Sequence, residues 1–145
     1  MKRRGLTLAT AESITGGGLA SAITDVSGAS AVFLGSIVSY SDQSKTKFLG
    51  IPKRTLTKST AVSETVARSM AEAARKEFGA DYAISTTGVA GPGRAYGQKP
   101  GTVWIAIASK RETVTIELAL SGDRDAIRKA TIESALACLS RILTP

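Results

Sequence analysis

Leu6-Thr-Leu-Ala-Thr-Ala-Glu-Ser-Ile-Thr-Gly-Gly-Gly18 changes its structural period partway along. Leu6 to Ala11 alternates apolar and β-branched residues, as a strand does. Ser13 to Gly18 is a glycine-rich turn that opens a helical stretch running to about Val26. Strand, glycine-rich loop and helix in that order begin an α/β protein, and the rest of the chain is read outward from this unit.

Val32 to Tyr40 is a second apolar, β-branched run that delivers Tyr40-Ser-Asp-Gln-Ser-Lys45 into a short helix. Ser63 is placed to cap a helix whose one face reads Val66, Met70, Ala74, Phe78, with Lys76 near its end and Gly79 closing it. Asp81 to Thr87 is a third strand, running into Gly88-Val-Ala-Gly-Pro-Gly93 and a loop that reaches Pro100. Thr102 to Ser109 and Glu112 to Leu120, joined by Lys110-Arg111, predict an antiparallel hairpin. Ser121-Gly-Asp-Arg ends that strand, and Ile127, Thr131, Ala135, Leu139 and Ile142 mark the core face of a final helix from about Asp123 to Leu143.

These elements predict one domain over residues 1–145, a three-layer α/β/α sandwich around a mixed, mostly parallel sheet of about five strands. Ligands in such sheets bind beyond the carboxyl ends of the parallel strands. Glu12 to Gly18, Tyr40 to Lys45 and Thr87 to Gly93 are therefore expected to converge.

Composition narrows the chemistry. A chain of 145 residues with 43% hydrophobic content is sufficient for one core. No apolar run approaches the roughly 20 residues of a membrane span, so no membrane partner is expected. The basic Met1-Lys-Arg-Arg-Gly start is followed by too short an apolar run for an export signal, since Glu12 interrupts it. A single cysteine excludes an internal disulfide, and Cys138 reads as a small buried hydrophobe, in keeping with a reducing, cytoplasmic setting. Histidine is absent, which removes the usual general base and the commonest transition-metal ligand. No metal or cofactor is expected, and any nucleophile needs another base.

A net charge of +7 raises the question of nucleic acid. The basic residues are spread over every segment, and one Trp, three Tyr and three Phe leave little for stacking. A solvated basic surface is favoured over a nucleic-acid interface, and it can attract a small anion.

Ser13 stands just before a helix N-terminus, where free amides and the positive dipole end favour an oxyanion or phosphate. The bland reading is that Ser13 or Thr15 caps the helix while Gly16 and Gly17 turn the chain. Neither a Walker loop nor a dinucleotide fingerprint is present. Lys45 can serve as base only if its pKa falls from about 10.4 toward neutrality. It is otherwise a surface charge, or an ammonium held by Asp42. Arg124 and Arg128 lie one turn apart and suit a phosphate, with surface pairing to Asp123 or Asp125 as the alternative. The loop from Thr86 through Gly93 suits a flat ring or a phosphate against backbone amides.

Taken together, Thr10-Ala-Glu-Ser-Ile-Thr-Gly-Gly, Val38-Ser-Tyr-Ser-Asp-Gln-Ser-Lys, Val62-Ser-Glu, Gly88-Val-Ala-Gly-Pro, Lys99-Pro-Gly-Thr-Val-Trp and Ser121-Gly-Asp-Arg strongly resemble the CinA C-terminal family across nearly the whole chain. The resemblance implies an α/β/α sandwich, frequently a homo-oligomer of two or more subunits. In the active members it implies deamidation of nicotinamide mononucleotide to nicotinic acid mononucleotide, a step of pyridine nucleotide salvage. By matching position Ser13 would be the nucleophile, Lys45 its base and Tyr40 a supporting hydrogen-bond group. Glu12, Thr87 and the Gly88 loop would line the site. Two departures stand out: Ile14 replaces the family's usual Cys, and the helix that normally precedes the first strand is absent from this sequence.

The expectation is thus an amidohydrolase acting on a small nucleotide through a Ser13 acyl-enzyme. Amides near Thr15 to Gly17, or near Gly88, would serve the oxyanion. Arg124, Arg128 or the Gly88 loop would take the phosphate. The alternatives are a non-catalytic nucleotide-binding or regulatory module and a DNA-associated protein linked to competence.

Overall fold

A computed structural model describes residues 1–144. The opening unit becomes β1 (Leu8–Glu12), buried along its whole length, and α1 (Gly18–Thr24). β2 (Phe33–Val38) follows, then α2 (Asp42–Leu49), α3 (Lys53–Ser59) and α4 (Glu64–Phe78). β3 (Tyr82–Gly88), β4 (Thr102–Ala108), β5 (Thr113–Ala119) and α5 (Arg124–Leu143) complete the chain.

The five strands lie in the order β2-β1-β3-β4-β5. β1 pairs in parallel with β2 and β3, whereas β3–β4 and β4–β5 are antiparallel. The expected sandwich is present, and its sheet is mixed: by direction only β4 runs against the others, while the pairings divide evenly. Chain connections diverge from β1, with β2 on one side and β3 on the other. The carboxyl ends of β1 and β3 therefore border the crevice in which such sheets bind ligands.

Each layer follows from its residues. α4 presents Val66, Ala67, Met70, Ala71 and Ala74 to the sheet, all buried. Its small side chains meet Ala106 and Ala108 of β4, so the helix lies close to the strands. Ser63 caps it by accepting from the Val66 amide, and Gly79 ends it at φ 61°, a left-handed turn that suits glycine. On the opposite face Ile84, Val103, Ile105 and Ile107 pack against Ile127, Ala135 and Leu139 of α5 and Leu19 of α1. Cys138 is half-buried at the edge of that cluster.

Several boundaries differ from the sequence reading. α1 stops at Thr24 rather than about Val26, and β2 releases the chain before Ser39. α3 and the 3-10 turns Lys2–Arg4 and Ala29–Ala31 were not anticipated. Among the described residues no helix is long and apolar enough to cross a membrane.

Candidate active site

Ser13 follows directly on β1, and its amide donates to Thr86 O at 2.9 Å, which ties the residue to the end of β3. The chain then reverses through Gly16 (φ 57°) and Gly17 (φ 97°), left-handed conformations that side-chain-bearing residues resist. The reversal starts α1 immediately behind the serine.

Lys45 reaches Ser13 from α2. Ser41 and Ser44 form a reciprocal cap that starts this helix and places Lys45 one turn in. Its Nζ stands 2.9 Å from Ser13 Oγ and 3.0 Å from Ser39 O. The side chain is only 1% exposed, and no carboxylate lies within ion-pair distance of its amine among the described residues. Burial pushes the Lys45 pKa down from its ordinary value, and the more distant Asp42 charge offsets part of that. Ser39 contributes its carbonyl rather than its side chain, because its own buried hydroxyl has no partner among the described residues.

Ser13 opens into a cavity of about 230 Å³. Its walls come from Ile14, from Ala61 and Val62 before α4, from Thr87 and the Gly88 to Gly93 loop, and from Tyr40, Tyr96 and Arg124. Thr87 Oγ1 donates to Ala61 O at 2.7 Å and so joins two of those walls. A Cβ on Gly88 would sit 2.8 Å from Thr102 O, so only glycine fits there. Arg124 spans the mouth, donating to Gly91 O at 2.9 Å and to Tyr40 Oη at 2.8 Å. A larger depression of about 610 Å³ between α2 and α3 lacks a nucleophile beside a base.

Of the residues singled out in the sequence, Ser13, Tyr40, Thr87, Gly88 and Arg124 border this cavity, with Lys45 behind Ser13. Glu12, Thr15, Gly16, Gly17 and Arg128 do not border it. Glu12 is fully buried, and its carboxylate accepts from the amides of Gly17, Leu19 and Ala20 and from the hydroxyls of Thr10, Thr15 and Ser36. It caps α1 from below. Thr15 Oγ1 is committed to Glu12 and Thr86, and the Gly16 amide to Ser13 O. Arg128 grips the same loop by donating from Nε to Ile14 O and from Nη2 to Thr15 O. The ion pair near α5 is Lys129 with Asp125, so neither arginine makes the surface pair considered above.

Not all of the loop amides expected near an oxyanion are free. Those of Gly16 and Gly17 are occupied, whereas those of Ile14 and Thr15 make no hydrogen bond within the protein among the described residues. Ile14, Ala61, Val62, Ala95 and Tyr96 are the cavity residues that sequence reasoning did not assign to the site. A lone aromatic in a glycine-rich loop was the only signal for Tyr96.

Fold and site define an α/β/α protein with a buried serine–lysine pair at the switch point of its sheet. The chain belongs to the CinA C-terminal domain family, which it matches over residues 1–143. It is 46% identical over 141 residues to the nicotinamide-nucleotide amidohydrolase PncC of Escherichia coli K12, covering 96% of this chain and 86% of that protein. A CinA-like protein of Geobacter sulfurreducens is 45% identical over 143 residues, 98% of this chain, but the chain spans only 35% of that relative's length. Among solved structures, a CinA superfamily protein from Escherichia coli superposes with a TM-score of 0.95 at 36% identity, covering 98% of this chain and 83% of that one. The competence/damage inducible protein CihA from Agrobacterium tumefaciens gives 0.92 at 37% identity, covering 97% and 87%.

Proposed function

We propose that this protein is an amidohydrolase that releases ammonia from the carboxamide of nicotinamide mononucleotide, with Ser13 as nucleophile and Lys45 as its general base. The observation that carries the reading is the 2.9 Å contact between a buried lysine amine and the hydroxyl that opens into the cavity. The PncC relative of similar length supports the substrate class.

In this mechanism neutral Lys45 takes the Ser13 proton as Oγ attacks the carboxamide carbon. The tetrahedral oxyanion is met by the amide of Ile14, which borders the cavity, an interaction worth about 3 kcal/mol. Collapse breaks the C–N bond, and the proton on Lys45 passes to the departing nitrogen, which leaves as ammonia. Water, deprotonated by the same amine, then cleaves the Ser13 ester to release the acid and restore the serine. Ser39 O holds Lys45 in line throughout. Arg124, at the mouth with guanidinium hydrogens to spare, takes the phosphate. Glu12 and Arg128 hold the loop on which the serine and its amides sit. No cofactor enters this scheme.

The decisive assay follows ammonia from nicotinamide mononucleotide without added metal from about pH 6 to 10. Wild type is expected to turn over, and Ser13→Ala and Lys45→Ala to lose at least about a thousandfold. Turnover by Ser13→Ala would sink the nucleophile. Silence of the wild type together with nucleotide binding would identify a binding module instead.

A further inference from the structure

Two phenol rings border the cavity. Tyr40 follows β2 and is 56% exposed, while Tyr96, 43% exposed, comes from the loop between β3 and β4. Tyr96 is held there at φ 52°, a left-handed conformation that a bulky side chain adopts only when its surroundings impose it. The surroundings are on hand. Its hydroxyl donates to Asp42 Oδ1 at 3.1 Å, and Ala95 and Gln98 bridge across the turn that carries it. Burial and the neighbouring Asp42 carboxylate both push the Tyr96 phenol pKa up, so the group stays protonated and keeps donating.

We propose that Tyr96 is a specificity-determining residue whose ring selects a positively charged aromatic ring, an N-substituted pyridinium, over its neutral counterpart. The inference rests on the amidohydrolase reading for the identity of the substrate and goes beyond it by assigning the charge on the ring as the feature recognised. A phenol face carries negative potential, so a flat cation against it is favoured where a neutral ring of the same shape gains only contact. The hydrogen bond to Asp42 strengthens this: a phenol donating to a carboxylate is polarised toward phenolate, which makes the ring face more negative. The lysine next to the reaction centre leaves that demand unmet. Lys45 lies behind Ser13 and offers no attraction to a cation, and Arg124 at the mouth repels one. Among the described residues no carboxylate lines the cavity, and Asp42 acts on it through Tyr96.

The test compares two substrates with the same amide, ribose and phosphate: nicotinamide mononucleotide, whose ring is a cation, and its dihydro form, whose ring is neutral. Ammonia release is measured for wild type, Tyr96→Leu, Tyr96→Phe and Asp42→Asn. Leucine meets the same left-handed backbone as tyrosine but loses the bond to Asp42, and Tyr96→Phe, which loses the same bond and keeps the ring, separates the two effects. Tyr96→Leu is expected to lower kcat/KM for the pyridinium about tenfold and for the dihydro form about twofold or less. Tyr96→Phe should cost the pyridinium about threefold with the dihydro form little changed, and Asp42→Asn, which also removes a charge acting on Lys45, should lower the pyridinium-to-dihydro ratio of kcat/KM about threefold. Equal losses on both substrates, or none on either, would overturn the proposal, leaving Tyr96 a neutral wall. If wild type releases no ammonia from either compound, the amidohydrolase reading fails. The same ratio is then read from equilibrium binding of the two nucleotides to wild type and Tyr96→Leu, and an unchanged ratio overturns the selection by charge.

Discussion

Lys45 concentrates the energetic conflict of this molecule in one side chain. An ammonium removed from water costs several kcal/mol, and at 1% exposure Lys45 recovers part of it from two hydrogen bonds, to Ser13 Oγ and Ser39 O. Burial places its folded pKa below the ordinary lysine value of about 10.4. Between the two values the unfolded chain binds the extra proton, so stability rises as pH climbs through that window and the full penalty applies beneath it. Lys45→Met keeps the length of the side chain and removes the charge. The Ser39 carbonyl then loses a donor at a cost of about 1–3 kcal/mol, less than the desolvation relieved. Lys45→Met is therefore expected to abolish turnover yet raise Tm near neutral pH, by about 2–4 °C per kcal/mol gained. The gain should shrink as pH approaches about 10.4. Thermal denaturation of both proteins across that range checks it; a Tm difference independent of pH would mean that the buried charge is not the source.

At the scale of elements, the join between β1 and α1 makes the site, and Glu12 makes the join. Three backbone amides and three hydroxyls converge on one carboxylate, which can accept from all of them because both oxygens are acceptors. Glu12→Gln preserves shape but turns an NH2 group toward donors, leaving at least one amide unsatisfied in a fully buried place. A loss of about 3 kcal/mol is expected by chemical denaturation, with kcat reduced and KM little moved, because the serine loop shifts while the cavity mouth does not. Unchanged stability would show that Glu12 is not the fastener. Sequence spacing placed Glu12 beside Ser13, yet neighbours leaving a strand point to opposite sides, and no spacing reveals which of two adjacent residues faces the ligand. Ser13 and Tyr40 were readable as candidates because each follows a strand end, Lys45 because the segment after β2 carries it into the first turns of α2, and α4 because both its caps and its apolar stripe are local. α3 was not, since Lys53 to Ser59 buries only Leu56 and carries no stripe. The Tyr96–Asp42 bond joins residues 54 positions apart, a contact that only the assembled fold brings about.

Across the whole molecule, two cores share one sheet. The face under α5 is built of Ile, Leu and Val, whereas the face under α4 is largely alanine, with Ala67 and Ala71 set against Ala106 and Ala108. Small residues bring α4 close enough for Ser85 Oγ of β3 to donate to Ala67 O at 2.6 Å and for Thr87 to hold Ala61. The cavity wall at Ala61 and Val62 is thus set by how deeply α4 seats. Ala71→Leu adds volume where none is free, which costs about 1–3 kcal/mol and lowers Tm by roughly 2–12 °C. It should also reduce kcat/KM from a distance, through the displaced wall. Trp104, the single tryptophan, packs against this alanine cluster, so its fluorescence reports the α4 layer, while far-UV circular dichroism sums the helices of both layers. Because every strand between the layers is common to both, the two signals should melt together in wild type and in Ala71→Leu alike. An earlier fluorescence transition in the variant would mean that the α4 layer can detach while the α5 layer stays folded, and that the shared sheet does not couple them.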